Sequence, residues 1–210
     1  MTRRGKFDLR LALGSGAVLV LLAAMVLDTK VVKIGSAEDA EAGIFSATTY
    51  GKAQFPKVQS AIENRAVDAA VLAAALDKDQ TAAEAQYSVP APAGPEYSVK
   101  FTGTVGKQDF GIYDLTIPGV PDTIHVSVQT GPAVNGTDLR DASGLIKFGD
   151  FSNQIDYQNA GSALNNEMKK EVLSKIDAAN LTGKTISVVG AVVLSDPAEW
   201  VVTPVRLTVQ

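Results

Sequence analysis

Residues 11–27 carry no charged side chain, and this run decides what the rest of the chain can be. Arg3, Arg4, Lys6 and Arg10 precede it, and Asp28 ends it. Seventeen uncharged residues at ~1.5 Å rise make a helix of roughly 26 Å, against a bilayer core of about 30 Å. The basic flank predicts a cytoplasmic N-terminus and an exported remainder. Gly14, Ser15 and Gly16 are poor fillers for a buried core helix. Two fates compete, an uncleaved anchor and a removed signal peptide. Cleavage after Leu22-Ala23-Ala24 would put a leucine where a small residue is wanted. Gly35-Ser36-Ala37 has the right sizes but lies well past the apolar run. We therefore read residues 1–28 as a signal-anchor. The expected protein is single-pass in the bacterial inner membrane, with its C-terminal domain in the periplasm.

The remaining residues must supply the fold without cross-links, because the chain has no cysteine. Disulfides, thiolate zinc sites, cysteine nucleophiles and a cysteine-borne lipid are all excluded. One histidine, His125, cannot build a multi-histidine metal site. Without the four basic groups and Asp8 of the leader, 15 basic residues face 22 acidic ones. Such a balance lacks the basic face that nucleic acid demands, so no nucleic-acid partner is expected.

Residues 29–43 read as a tether. Between 44 and 87 the pattern is helical and alanine-rich. Val58, Ile62, Ala66 or Arg65, Ala69, Leu72, Ala73 and Leu76 fall near a 3.6 period. Pro56 suits a first turn, so a helix starting near Phe55 is expected, with a separate turn before it and a second piece over 81–85. Three prolines within residues 88–95 predict an extended linker. Beyond it the period drops to two. Residues 97–104, 112–117 and 124–129 read as three strands of a meander, with residues 144–148 as a candidate short strand. Leu164, Met168, Val172 and Ile176 predict a helix, with Ser162 as its N-cap and Gly183 as its terminator. Residues 185–194 and 200–209 read as two more strands. Gly190 marks a bend in the first, and Pro204 demotes the second toward an edge or a bulge. The order β-β-β-α-β-β over 96–210 is that of an OB-like small β-barrel in an α+β chain. The alternative is an unclosed α+β sheet with one packed helix.

Chemistry concentrates in the polar stretch between the third strand and that helix. Asn135, Asp138, Arg140, Asp141, Asp150, Asn153 and Gln154 combine carboxylates, amides and one guanidinium. Arginine offers a forked donor, amides offer donor and acceptor together, and nearby aromatic faces cover apolar surface. This kit suits a small polar ligand or a partner protein, and equally a loop pinned by its own salt bridges. Asp138, Asp141 and Asp150 miss the calcium-loop spacing, so no metal is expected. No serine shows a nucleophile-elbow motif, and His125 is the only imidazole to serve as a base.

Three groups of residues carry a resemblance. They are Gly131-Pro132-Ala133-Val134-Asn135-Gly136-Thr137-Asp138-Leu139-Arg140-Asp141-Ala142, then Phe148-Gly149-Asp150-Phe151-Ser152-Asn153-Gln154-Ile155-Asp156-Tyr157-Gln158, then Leu164-Asn165. With Thr29-Lys30-Val31-Val32 and Ala61-Ile62-Glu63-Asn64-Arg65-Ala66-Val67-Asp68, the chain resembles an uncharacterised family of predicted bacterial periplasmic lipoproteins. The resemblance implies an exported domain of unknown function, often encoded beside sugar ABC-transporter genes. It brings no catalytic residues. Lacking cysteine, this chain departs from the lipoprotein pattern, and the apolar run must do any anchoring.

The expected protein is thus a non-enzymatic, membrane-anchored periplasmic accessory protein without a cofactor. It would bind a small polar ligand or a partner such as a sugar ABC-transporter component. The alternatives are a purely structural envelope or assembly module, and a carboxylate-based hydrolase with two acids about 5–10 Å apart.

Overall fold

Ser46 opens the first helix, α1 (Ala47–Arg65), by accepting a hydrogen bond from the Thr49 amide at 3.5 Å. The computed structural model describes residues 24–25 and 45–210. Apart from helical Ala24 and Met25, the anchor over 11–27 and the tether over 29–43 lie outside the described residues. Among the described residues, no helix is long and apolar enough to cross a membrane. α1 does not start near Phe55 as expected. It runs through Pro56, which lies on the solvent side, where water can satisfy the carbonyl that its missing N–H leaves free. Gly51, Phe55, Val58 and Ile62 form the buried stripe.

The single long helical pattern breaks at Ala66. Ala66 is extended, and Val67–Asp68 forms a two-residue strand, β1, parallel to Val99–Lys100. Asp68 then caps α2 (Ala69–Lys78), and Asp79 caps α3 (Gln80–Tyr87), each accepting an amide at 3.0 Å. The expected piece over 81–85 is this third helix.

The proline-rich stretch is not a linker. Ser88–Ala91 is a strand, β2, that turns back antiparallel onto β3 (Gly94–Asp109), with Pro90 opposite Pro95. β2 pairs only with β3, and an edge strand tolerates residues that cannot donate.

β3 is long enough to take two further partners within the barrel. Its first half lies antiparallel to β6 (Thr185–Val193), and its second half to β4 (Ile112–Thr116). β4 pairs with β5 (His125–Gln129), β5 runs parallel to β7 (Glu199–Val209), and β7 returns to β6. The five strands close into a ring, β3-β4-β5-β7-β6-β3, so the alternative of an open sheet is set aside. Gly190 sits at a register shift opposite Pro204. A Cβ at Gly190 would lie 2.6 Å from the Thr203 carbonyl oxygen, so the bend expected there is a bulge that only glycine allows. Pro204 falls at the same bulge, in the half of β7 that pairs with β6 alone, since β5 pairs only with residues 199–202.

The crossover between β5 and β6 contains α4 (Asp138–Ala142) and α5 (Gln154–Glu171). Residues 144–148 form no strand; a single 3₁₀ turn follows at Phe148–Asp150. α5 begins eight residues before the expected Ser162, with Asn153 as its N-cap, and stops long before Gly183. Its last stripe residues pass into a 3₁₀ turn, Leu173–Lys175. α1 packs along α5 closely: a Cβ on Gly51 would meet the Ala163 carbonyl oxygen at 2.6 Å. One core joins both layers, with Trp200, Tyr97, Tyr113, Ile186 and Leu181 from the barrel side and Phe55, Ile62, Leu139, Leu164 and Met168 from the helices. Phe45–Gln210 is one unit by its contacts, so the helical segment and the barrel are a single domain.

Candidate functional site

The polar crossover is built inward from the end of β5. Gln129 is buried there, and its amide spans the loop: Nε2 donates to the Asn135 carbonyl at 3.3 Å, and Oε1 accepts the Asn135 amide at 3.2 Å. The same Nε2 donates to Thr203 Oγ1 at 2.9 Å, and Thr203 Oγ1 donates to Asp138 Oδ2 at 2.7 Å. Asn165, from α5, donates to the Gly136 carbonyl at 3.0 Å. The loop is therefore tied to β5, β7 and α5 before α4 begins.

All five residues of α4 are buried. Arg140 and Asp141 form a fork-to-fork pair, Nε to Oδ1 at 2.7 Å and Nη2 to Oδ2 at 2.9 Å. Asp141 also accepts from Thr137 Oγ1 at 2.7 Å and from the Tyr157 hydroxyl at 3.3 Å. Arg140 donates to the Tyr157 carbonyl at 2.9 Å, and its guanidinium stacks 3.6 Å above the Tyr157 ring. Ring contacts continue outward from Tyr157 to Phe148 and Phe151, and from Phe151 to Tyr50 and Phe45. A buried ion pair is stable only when its polar atoms find partners, and each nitrogen of Arg140 and both carboxylate oxygens of Asp141 have one.

Beside this network, in which Asn165 Oδ1 is buried without a partner, lies Glu96, on β3, with 0% of its surface exposed and no partner for either carboxylate oxygen. Burial, then the nearby Asp138 and Asp141, pushes its carboxyl up to about 8, with Arg140 opposing. Burial also raises Asp138, against the Thr203 hydrogen bond. Protonation is how such a site avoids three negative charges facing one guanidinium. Tyr157 is raised by burial and by Asp141, and Tyr50 by burial and by Asp150.

The seven residues singled out from sequence divide sharply. Asp138, Arg140 and Asp141 are buried and bonded to one another's neighbours. Asn135 is exposed and joins through its backbone alone. Asp150 is exposed and accepts the Lys147 amide at 2.9 Å. Asn153 caps α5, accepting the Asp156 amide at 2.9 Å, and Gln154 is an exposed first-turn residue. The three aspartates therefore do not share an open cleft, the arrangement a hydrolase needs. Sequence reasoning missed Glu96, Gln129 and Thr203. The only signal was a polar residue inside otherwise apolar strands.

The outer half of the crossover is unlike the inner half. Leu145, Phe148 and Ile155 are 52%, 55% and 68% exposed. They share one short segment with Asp150, Asn153 and Gln154, and within it Phe148 packs edge-on against the Tyr157 ring at 5.5 Å. Among the described residues, no group of three or more ligating side chains is placed to hold a metal. His125 is exposed at the start of β5, in a hollow of about 240 Å³ with Asp114, Thr116 and Asp122.

Comparison with known proteins agrees with this architecture. No curated protein sequence matches the chain. Among solved structures, it is similar to the crystal structure of an OB-fold protein from Thermotoga maritima, at a TM-score of 0.61 and 20% identity. The match covers 79% of this chain and 99% of that one, and establishes the OB-like fold alone. A family model described as "Predicted periplasmic lipoprotein (DUF2291)" matches residues 16–208. These residues contain no cysteine to take a lipid. The ring of five strands and the nearly full-length match lead to one conclusion: the chain belongs to this family of predicted periplasmic lipoproteins.

Proposed function

We propose that the chain is a non-enzymatic accessory protein of the periplasm, held at the inner membrane by residues 11–27, whose OB-like domain docks a partner protein through residues 145–155. The resemblance to proteins encoded beside sugar ABC-transporter genes makes a sugar-uptake component the partner of first choice. One observation carries the reading: Leu145, Phe148 and Ile155 are exposed within one short segment whose base is fixed by a fully bonded ion pair. Exposed apolar side chains close in sequence, interspersed with exposed Asp150, Asn153 and Gln154, have the composition of a docking surface. A small polar ligand would meet Asn135, Asp150, Asn153 and Gln154, which are all exposed. Asp138, Arg140 and Asp141 then serve as its foundation.

The second reading, a purely structural envelope or assembly module, is favoured by the saturation of the inner network, which leaves those three side chains nothing to offer a ligand. Photo-crosslinking distinguishes the two. A crosslinking residue replaces Phe148, or Val201 as control, in the full chain in native membranes. Docking predicts a discrete adduct from position 148 alone, whose mass and sequence identify a transport component. Adducts with lipid only, or equal labelling from position 201, would contradict it.

A further inference from the structure

Three arginines lie in the described unit, and two of them are spent on carboxylates. Arg140 is paired with Asp141, and Arg206 with Glu63, with contacts of 2.8–2.9 Å in the second pair. Arg65, in the last turn of α1, has no ion pair and no side-chain hydrogen bond among the described residues. The nearest acid on its own helix, Glu63, is the one held by Arg206. Its guanidinium is nevertheless placed. It lies against Gly144, where a Cβ would stand 2.9 Å from Nη1, so the absence of a side chain there makes its seat.

That seat opens on a hollow of about 540 Å³ between the end of α1, the α3–β2 junction and the turn after α4. Arg65, Gln86, Tyr87, Ser88, Val89 and Pro90 line it with Gly144, and no acidic residue does. Arg65 and Gln86 are exposed, and the side chains of Gln86, Tyr87 and Ser88 also make no hydrogen bond among the described residues, so a guanidinium fork, an amide and two hydroxyls face one solvent-open hollow. Its size falls in the range of small-ligand sites. The exported part of the chain has more acids than bases, so a cationic hollow free of carboxylates is a local reversal of the protein's own field. Arginine recognises planar oxyanions bidentately, and neutral donors around it complete their solvation.

We propose that this hollow is a binding site for a small solute bearing a carboxylate or phosphate group, with Arg65 as the charged anchor and Gln86 and Ser88 as flanking donors. The site is separate from the docking surface over 145–155 and stands if that surface fails. The full chain in detergent micelles is titrated calorimetrically with succinate and with inorganic phosphate, with succinamide as the uncharged control. Binding of at least one anion, and none of succinamide, is expected. Arg65→Gln should weaken it roughly tenfold or more, and Arg65→Lys by less, since it keeps the charge and loses the fork. Ser88→Ala should weaken it mildly. Melting temperatures of all three variants should stay at the wild-type value, because the residues carry no internal bond. Failure of both anions to bind, equal binding of succinamide, or unchanged anion affinity in Arg65→Gln would each overturn the proposal.

Discussion

Glu96→Gln tests the buried acidic cluster at its weakest point. The wild-type carboxyl is fully buried and unpaired, and its proton is held up to about 8 against an ordinary value of 4.5. The fold therefore binds more protons than the unfolded chain between those two values. Stability must fall as pH rises through that window and level off above it. At about 1.4 kcal/mol per unit, the loss is on the order of 3 kcal/mol by neutral pH and about 5 kcal/mol once the pH is well above 8. Glutamine keeps the shape, cannot ionise, and adds no negative charge near Asp138 and Asp141. Urea unfolding of residues 45–210 at mildly acidic, neutral and mildly alkaline pH measures the difference. The two proteins should be nearly equally stable in acid, with the variant gaining steadily as pH rises. A small residual slope should persist in the variant, because Asp138 is raised as well. Parallel curves for the two proteins would refute the assignment of the slope to Glu96.

Other perturbations follow from the same structure. Arg140→Met leaves Asp141 buried with only Thr137 and Tyr157 as donors, and should cost about 3–5 kcal/mol in chemical denaturation. Asp141→Asn, which lets the amide share the same cavity, should cost less. Pro56→Ala restores an amide at an exposed position of α1, and should raise stability by about 1–3 kcal/mol in the same assay. Phe148→Ser removes a half-exposed ring and its edge contact with Tyr157, and should cost about 0.5–1.5 kcal/mol of stability while abolishing crosslinking of the partner from Ile155.

Much of the barrel is written in local pattern. Phe101 and Val105 alternate with exposed Lys100, Thr102 and Thr104 because one face of that half of β3 meets the core, and period two reports that directly; earlier in the strand Glu96 and Ser98 are buried as well. Gly190 signals its bulge because no other residue tolerates the Thr203 carbonyl so near. The proline-rich hairpin was illegible because proline excludes only a strand bonded on both sides, and pairing is not a local property. The start of α5 was hidden for another reason. Its first two turns bury small residues, Ala160 and Gly161, while Ile155 faces outward, so no apolar stripe appears there. Only the Asn153 cap marked it.

The candidate site was legible as a place rather than as a mechanism. Composition located the polar crossover, where Arg140 and Asp141 are adjacent in sequence and bonded in space. It did not separate buried side chains from exposed ones, since that division depends on β3 and β7 lying against α4. Glu96 and Thr203 come from those strands and are far from the loop in sequence.

The central claim is an OB-like domain delivered across the inner membrane and kept there by its own N-terminal segment. Protease accessibility of a C-terminally tagged full chain in intact spheroplasts tests this most directly. The account predicts a tag removed by external protease, on a chain that sediments with the inner membrane at its full-length mass. A tag protected until the cells are lysed, or a full-length chain in the soluble cytoplasmic fraction, would contradict it.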